Sequence, residues 1–416
     1  MSIDMPAVKV EIRFAAGAVS VGFPLGDAIL GLSTLGEAVA YTNVSSDVRA
    51  VRINRGKQRE LDEFSAGSCS VVLDNRDRDY DPLYTSSPYF VDGTTQVKTG
   101  RWMRVKATHP TTGVEYDLYK GTIRNWDLNY DFPNEAIASP SATDYIENLT
   151  NTNITTTTSA GLSGVMVGEV LNAANILERN LDAGNTTLQA VTLSNANALT
   201  ALQTAAKSEG GGTAAIYCDA TGDVVFEDRL SLTTNPRSST SQATFGNAAL
   251  PVDSVELSYD SDLIKNDISL TRIGGTAQTK SSSTSQDDYG IRSFDLTGLY
   301  NNDDTSVENI AQLYLDAFSE AELRIRKITI NPRMNAALMT QALSRKIRDR
   351  ITITYDPPNT AGGVNTVTKQ MFISGISHDL GPEVMRTTFT LESTTGRSPY
   401  WTLGASELGI GTKLSF

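Results

Sequence analysis

Alternation of apolar with charged or polar residues, at a period of two, constrains the fold of this chain more than any other feature. It is clearest at residues 8–14, where every second residue is Val, Ile or Phe and the residues between are Lys, Glu and Arg. Because successive side chains of a strand point to opposite faces, this pattern is typical of a half-buried β-strand. Further strand-like segments lie at residues 103–107, 255–259, 268–270, 328–330, 351–355, 371–373 and 389–391. The sequence therefore predicts a mainly β protein.

Helical periodicity is confined to a few segments. Residues 306–318 carry one apolar stripe, and Thr305 with Glu308 matches a capping box at the start of that helix. Two more helices are predicted at 165–177 and 195–207, and a run of three glycines follows the second. Polar, aperiodic stretches predict linkers or loops at 150–163, 231–247 and 278–288. The order is thus β, then a small α/β segment, then β again with one clear helix.

Length and charge limit the possible classes of function. At 416 residues the chain exceeds the size of a single growing core, so about two to four domains are expected. Its formal net charge of −13 argues against wrapping nucleic acid or docking on an anionic membrane, and it is compatible with DNA that passes without binding. No stretch approaches the roughly 20 apolar residues of a membrane span. The N-terminus lacks the features of a signal peptide, so we expect assembly in the cytoplasm.

Residues that carry chemistry are sparse. The histidines, His109 and His378, have no Cys or second His at ligand spacing, and no Gly-x-Ser-x-Gly motif accompanies them. The cysteines, Cys69 and Cys218, are far apart and imply no disulfide framework. A basic cluster at 345–350 indicates either contact with DNA phosphates or a solvated strand end or ion-pair surface between subunits, and the second interpretation is favoured. We therefore predict no catalytic, cofactor or metal site, and a protein that is not an enzyme.

An acidic segment at residues 74–81 is dense in oxygen ligands. Calcium binding is one interpretation, because three aspartates alternate between residues 77 and 81. An EF-hand loop that began at Asp77 would, however, need a glycine and a glutamate at positions where two prolines stand. The alternative is a strand that ends in a turn, in which Asp74, Asn75 and Asp77 make hydrogen bonds from side chain to backbone. We predict this structural turn.

A longer pattern begins at residue 51. It comprises residues 51–56, 60–62, 64, 66–67, 71–77, 80–82 and 119–123. This pattern resembles the opening domain of minor tail proteins of long-tailed bacteriophages (siphophages), especially those that infect actinobacteria. Residues 209–229 resemble the inserted middle domain of tail-hub proteins. Later segments that resemble their second β domain and C-terminus are 262–266, 289–290, 375–378, 388–391 and 400–416. One departure is Arg348, which precedes Asp349 where hub proteins often have Gly.

The resemblance covers nearly the whole chain and implies its architecture. Two tail-tube-like domains, each a β-barrel or sandwich, flank a small α/β hub domain. The implied divisions are an N-terminal strand and extended arm at 1–48, a first tube-like domain at 49–146 that includes strand 8–14, an inserted hub domain at 147–235, a second tube-like domain at 236–395, and a C-terminal arm at 396–416.

The resemblance also implies a function. The chain would be a structural baseplate or hub protein at the tail tip of the virion, in a ring of three copies that joins the tail tube to the tip and encloses the DNA channel. Its expected partners are further copies of itself, the distal tail ring, the tape measure and tip or receptor-binding proteins, with DNA passing without specific binding. The alternatives are a hexameric distal tail ring protein, which two tube-like segments in one chain disfavour, and a tail-tip enzyme or receptor binder that acts on cell-wall sugar.

A pattern of leucine and glycine recurs near both ends of the chain, at residues 25–31 and 403–409. Neither segment has strand or helix periodicity, so its leucines need a surface supplied by something else. Our hypothesis is that both are extended arms that bind β-domain edges of adjacent subunits or of the neighbouring tail ring; the alternatives are packing on their own subunit and a chance repeat. The predicted arm residues are Leu25, Gly26, Leu30, Gly31, Leu403, Gly404, Leu408 and Gly409.

Overall fold

A computed structural model of the protein describes residues 3–14, 41–210, 212–259, 261–358 and 366–395. The eight predicted arm residues lie outside these ranges. Within the described chain, strands predominate, which confirms the prediction of a mainly β protein.

Twenty-five strands and eight α-helices are assigned in the described part of the chain. The first sixteen strands are β1 (Ala7–Ile12), β2 (Thr42–Asn43), β3 (Val48–Gly56), β4 (Ser65–Asp74), β5 (Phe90–Val91), β6 (Thr94–Thr95), β7 (Trp102–Thr108), β8 (Glu115–Asp131), β9 (Glu135–Thr143), β10 (Asn153–Thr157), β11 (Gly161–Leu162), β12 (Arg179–Leu181), β13 (Thr187–Leu188), β14 (Thr192–Asn197), β15 (Ala215–Cys218) and β16 (Val224–Glu227). The others are β17 (Thr244–Phe245), β18 (Ser254–Ser258), β19 (Asp267–Arg272), β20 (Gln278–Ser281), β21 (Ser293–Leu299), β22 (Arg324–Ile330), β23 (Arg350–Tyr355), β24 (Val367–Leu380) and β25 (Met385–Ser393).

The helices are concentrated in the middle of the chain. They are α1 (Tyr145–Thr150), α2 (Ser163–Ala173), α3 (Ala198–Gly210), α4 (Ser231–Thr234), α5 (Pro236–Ser239), α6 (Ser283–Tyr289), α7 (Asp304–Phe318) and α8 (Ala336–Ser344). Two 3₁₀ turns lie at Ser45–Asp47 and Pro332–Met334.

One sheet of 13 strands joins the two ends of the described chain. Its order is β18-β22-β25-β24-β3-β4-β9-β8-β7-β1-β2. In addition, β23 pairs with β24, and β17 pairs with β23. Strand β24 pairs antiparallel with β3, so that Ser377 lies opposite Asn54. A continuous hydrophobic core covers one face of this sheet and includes Val10, Ile53, Phe389 and other residues from both halves of the sequence. The early and late β segments therefore share a sheet and a core.

Two smaller cores pack beside the sheet. The segment between β9 and β17 has its own core, formed mainly by α1, α2, α3 and the inner faces of β15 and β16. A third core joins β19 and β21 to α7 through Ile268, Leu270, Val307, Ile310 and Phe318. The helical stripe predicted from the sequence is the face of α7 that packs there.

Several local predictions are wrong. Helix α7 begins earlier than expected, and its N-cap is Asp303, whose side chain accepts a hydrogen bond from Ser306 N, so Thr305 and Glu308 form no capping box. The stretch 278–288, predicted as a loop, forms β20 and α6. The stretch 150–163 contains β10 and β11, and 231–247 contains α4, α5 and β17. Each of these stretches contains a strand that pairs with another segment of the chain, and local periodicity does not reveal such pairing.

Candidate functional site

Two grooves flank the loop at residues 57–64. One, of about 390 Å³, lies between this loop and β22 and is lined by charges of both signs, including Arg59, Lys265 and Glu322. The other, of about 270 Å³, lies between the loop and helices α3 and α7. Leu61, at the tip of the loop, packs against the third core. The loop therefore lies where the large sheet and the smaller cores meet.

The charged groups beneath this loop are paired with one another. Lys57 Nζ lies 2.7 Å from Glu392 Oε2, and both side chains are almost completely buried. The same ammonium donates to the Glu60 carbonyl at 2.8 Å, while Arg324 Nε lies 3.1 Å from Glu60 Oε2. A carboxylate held in a buried ion pair is poorly suited to accept a proton from a substrate. This arrangement fixes the loop and supports a structural role.

A second buried ion pair joins the sheet to the middle segment. Arg348, just before β23, lies with its Nε 2.6 Å from Oε2 of Glu227, the last residue of β16. Tyr217 donates its hydroxyl proton to the same carboxylate at 3.1 Å, and Arg348 Nη2 donates to the Thr213 carbonyl. Burial raises the pKa of Tyr217 well above its ordinary value, with the Glu227 charge adding to the effect, so this phenol stays a donor. Arg348 is about 1% exposed, which overturns both sequence-based interpretations for this residue, because it is neither a DNA contact nor solvated.

The predicted turn residues lie at the end of β4. Asp74 Oδ1 accepts from Arg76 N at 3.1 Å, and the carboxylate forms ion pairs with Arg49 and Arg76. The hydrogen bonds from Arg76 are the largest cause that holds the pKa of Asp74 well below its ordinary value. Asn75 is buried, and its Oδ1 accepts from Tyr80 N at 3.0 Å. Asp77 is exposed. Two of the three side chains thus hold the backbone of this segment.

The described residues show no metal-binding cluster, and both histidines are hydrogen-bonded to groups of the protein. Among these residues, no group of three or more His, Cys, Asp or Glu side chains is placed to hold a metal ion. His109 Nε2 lies 3.0 Å from the Ala336 carbonyl, and its Nδ1 accepts from Thr111 N at 3.1 Å. His378 is buried in the sheet with Nδ1 3.0 Å from Thr387 Oγ1. Burial, with a contribution from the positive charge of Arg55, lowers the pKa of His378 to about 3.

Glu209 is a structural residue whose individual role the sequence did not reveal. Its carboxylate is fully buried at the end of α3 and accepts from Ser163 Oγ at 2.7 Å, Thr186 N at 2.9 Å and Asn185 N at 3.0 Å. An acidic residue in the last turn of a helix is disfavoured by the helix dipole. That unfavourable position was the available signal that Glu209 has a tertiary role.

Both ends of the large sheet carry short edge strands. Strand β18 pairs only with β22 within the described residues, and Leu257 on this strand is 43% exposed. At the other end, β2 covers only Glu11 and Ile12 of β1. Exposed strand edges present unpaired backbone groups that can pair with another chain. These two edges are candidate assembly surfaces.

Solved structures share this fold. A 43 kDa tail protein of prophage MuSo2 from Shewanella oneidensis matches with a TM-score of 0.56 and 12% identity, over 94% of this chain and 98% of that one. A tail protein from Neisseria meningitidis MC58 matches with a TM-score of 0.57 and 12% identity, over 94% and 97% of the two chains. A chain of a PdpA–VgrG complex gives a TM-score of 0.50 at 8% identity, over 96% of this chain and 67% of that one. The fold is therefore one found in phage tail proteins.

No protein-family profile matches the sequence, and no curated protein matches it. None of the helices in the described residues is long and apolar enough to span a membrane.

Proposed function

We propose that this chain is a structural hub subunit at the tail tip of a tailed bacteriophage, in a ring that joins the tail tube to the tip and encloses the DNA channel. The observation that carries this proposal is the single sheet that runs through the early and late β segments, together with a fold shared over more than nine-tenths of two phage tail proteins. The resemblance of residues 51–82 to minor tail proteins of actinobacterial siphophages supports the same assignment.

The ring contains three copies in this proposal. Each copy supplies two tube-like domains, at 49–146 and 236–395, so three copies present six such domains to a six-fold tail tube. Closure of a ring covers sheet edges that would otherwise be open to aggregation. Among the described residues β18 pairs only with β22, and β2 covers only part of β1, so the two edges provide different surfaces for such head-to-tail contacts.

The expected neighbours are the distal tail ring above, the tape measure within, and tip or receptor-binding proteins below. The leucine–glycine segments at 25–31 and 403–409 are proposed to be arms that bind neighbouring subunits or the adjacent ring. The net charge of −13 suits a channel wall that DNA crosses without adhering.

The decisive experiment is electron microscopy of tails assembled with this chain and its neighbouring tail proteins. Three copies in one ring at the tip are expected, whereas six copies would identify a distal tail ring protein instead. Leu257→Lys on the β18 edge should reduce ring incorporation while leaving monomer melting unchanged, because a charge on an edge strand opposes pairing. Ile273→Lys is the matched control, since Ile273 is also 43% exposed and lies outside the large sheet. Equal incorporation of both variants would argue against the β18 edge as a contact.

A further inference from the structure

Six neighbouring strands of the large sheet place small, uncharged polar residues in one row. Reading across β18, β22, β25, β24, β3 and β4, the residues that lie directly opposite one another are Ser254, Thr329, Thr388, Ser377, Asn54 and Ser68. Directly paired residues of adjacent strands share a face of the sheet. All six are partly or fully exposed, so this hydroxyl row lies on the face opposite the core.

Four of the six residues in the hydroxyl row are hydrogen-bonded in pairs across neighbouring strands. Thr329 Oγ1 lies 3.2 Å from Thr388 Oγ1, and Ser377 Oγ donates to Asn54 Oδ1 at 2.7 Å. The next residues along the strands, such as Ile328 and Phe389, point to the other face and are fully buried. The row is therefore held in position by the packed core behind it.

A second row beside the first contains two arginines and one aspartate. Asp379 lies between Arg386 on one side and Arg52 on the other, and Arg52 Nε is 3.7 Å from Asp379 Oδ1. Beyond Arg52 the row continues through Ser70 and Ser141. The two rows thus present mainly hydroxyl groups, with one net positive charge, over several strands.

This chemistry disfavours two common kinds of partner. None of the large hydrophobic residues that are exposed in the described chain belongs to either row, whereas the centre of a protein–protein interface needs aromatic or aliphatic anchors. Tight binding of nucleic acid requires several unpaired Lys or Arg side chains that displace counterions from phosphates. Here the two arginines flank an aspartate. A surface with hydroxyl groups, little charge and no exposed apolar anchor is suited to a polyanion that must move along it.

We propose that this face is the wall of the channel and that duplex DNA slides over the hydroxyl row through water-mediated contacts. The inference rests on the proposed hub function, and it identifies the face and the residues that would contact the DNA. Short hydroxyl side chains hold a water layer without trapping a phosphate, because each contact is uncharged and easily exchanged.

The test places positive charge in the row and measures DNA ejection from assembled particles. Ser377→Arg with Thr388→Arg should slow ejection by roughly tenfold or more at low salt, and the defect should shrink as salt rises, because phosphate contacts are salt-dependent. The matched control is Thr157→Arg with Thr192→Arg, an exposed pair on β10 and β14 whose hydroxyls lie 3.3 Å apart in a separate sheet. Ejection at the wild-type rate from rings of normal copy number would overturn the channel-wall assignment while leaving the hub function intact.

A labelling experiment keeps the inference testable should the double variant fail to fold. Ser70 is exposed in the second row, and the native Cys69 and Cys218 are buried, so Ser70→Cys offers one reactive thiol among the described residues. We expect a large polymer-linked maleimide to label the free subunit but not the assembled tail, while a small maleimide labels both. Polymer labelling in intact tails would place this face outside the channel. A ring that does not surround a channel would instead contradict the proposed function itself.

Discussion

Nε of Arg348 lies 2.6 Å from Oε2 of Glu227, in an ion pair that links the strands of the large sheet to the middle segment. The backbone of Arg348 has φ of +69°, in the left-handed region that glycine adopts most readily. Tail-hub proteins, which the sequence resembles, often have Gly at this position. In this chain an arginine adopts this backbone conformation, and its side chain fills a buried, polar site.

The first prediction concerns this ion pair. Arg348→Met should lower the free energy of unfolding by about 3–5 kcal/mol, because it leaves the Glu227 carboxylate buried without its nearest cation. Arg348→Met combined with Glu227→Gln should recover part of that loss. Urea unfolding measures both changes. As a control, Lys280→Ala breaks an ion pair of equal length between more exposed partners, Lys280 and Glu308, and should cost less than about 1 kcal/mol. Equal losses for the two single variants would contradict the argument.

The strands could be predicted because their evidence is local. Each predicted strand-like segment falls within, or within two residues of, an observed strand; β1, for example, spans Ala7–Ile12 where 8–14 was expected. The middle helices were displaced by two to three residues at their starts, since α2 begins at Ser163 and α3 at Ala198. Apolar periodicity marks which side of an element is buried more clearly than it marks where the element ends.

The segment 278–288 could not be predicted in this way. Its polar residues form β20 and α6 because distant groups bind them: Asn266 Nδ2 donates to Ser285 Oγ at 3.0 Å, and Ser285 Oγ in turn donates to the Ser319 carbonyl. The candidate surfaces depend on even longer separations, since Ser377 and Asn54 are 323 residues apart. The hydroxyl row exists only because distant strands pair in a particular register. The sequence of a single strand does not determine that register.

The second prediction concerns the turn after β4. Asn75→Ala should destabilise the protein by about 1–3 kcal/mol, because Tyr80 N would lose its acceptor in a buried position. Asp77→Ala, at an exposed position of the same turn, should change stability by less than about 0.5 kcal/mol. Thermal or urea unfolding measures both. A rise in melting temperature with calcium in the wild type, but not in an Asp77→Ala, Asp79→Ala variant, would instead establish a metal site here.

The third prediction concerns Glu209. Glu209→Ala should cost about 3 kcal/mol or more, because Ser163 Oγ and the backbone N–H groups of Asn185 and Thr186 lose a buried, charged acceptor. Hydrogen exchange should become faster around residues 163–186 and stay unchanged in β24 and β25. Glu169→Ala is the control, since that carboxylate also makes two hydrogen bonds, to Ser159, but at an exposed site. Uniformly faster exchange across the chain would show that Glu209 supports global rather than local stability.

The fourth prediction concerns the pH dependence of Asp144, where the chain passes from β9 into α1. Burial raises the pKa of this carboxyl from 3.8 to about 7, although Gly67 N and Ile146 N donate to it and Arg55 is nearby. The folded state therefore binds this proton more tightly than the unfolded state. The resulting stabilisation is complete below about pH 3.8 and is lost as the pH rises through about 7. Between pH 4 and 7, wild type should lose stability relative to Asp144→Asn.

Two further variants isolate this effect. Leu149→Ala removes a buried side chain from the same helix and no titrating group, so it should lower stability by the same amount at every pH. His378→Gln should show the opposite trend, because the pKa of His378 is lowered from 6.5 to about 3. The stability that this depressed pKa confers is present above pH 6.5 and is lost as the pH falls towards 3. Free energies of unfolding from urea titrations between pH 4 and 8 measure all three differences. A constant difference between wild type and Asp144→Asn across that range would show that the Asp144 proton is not linked to folding.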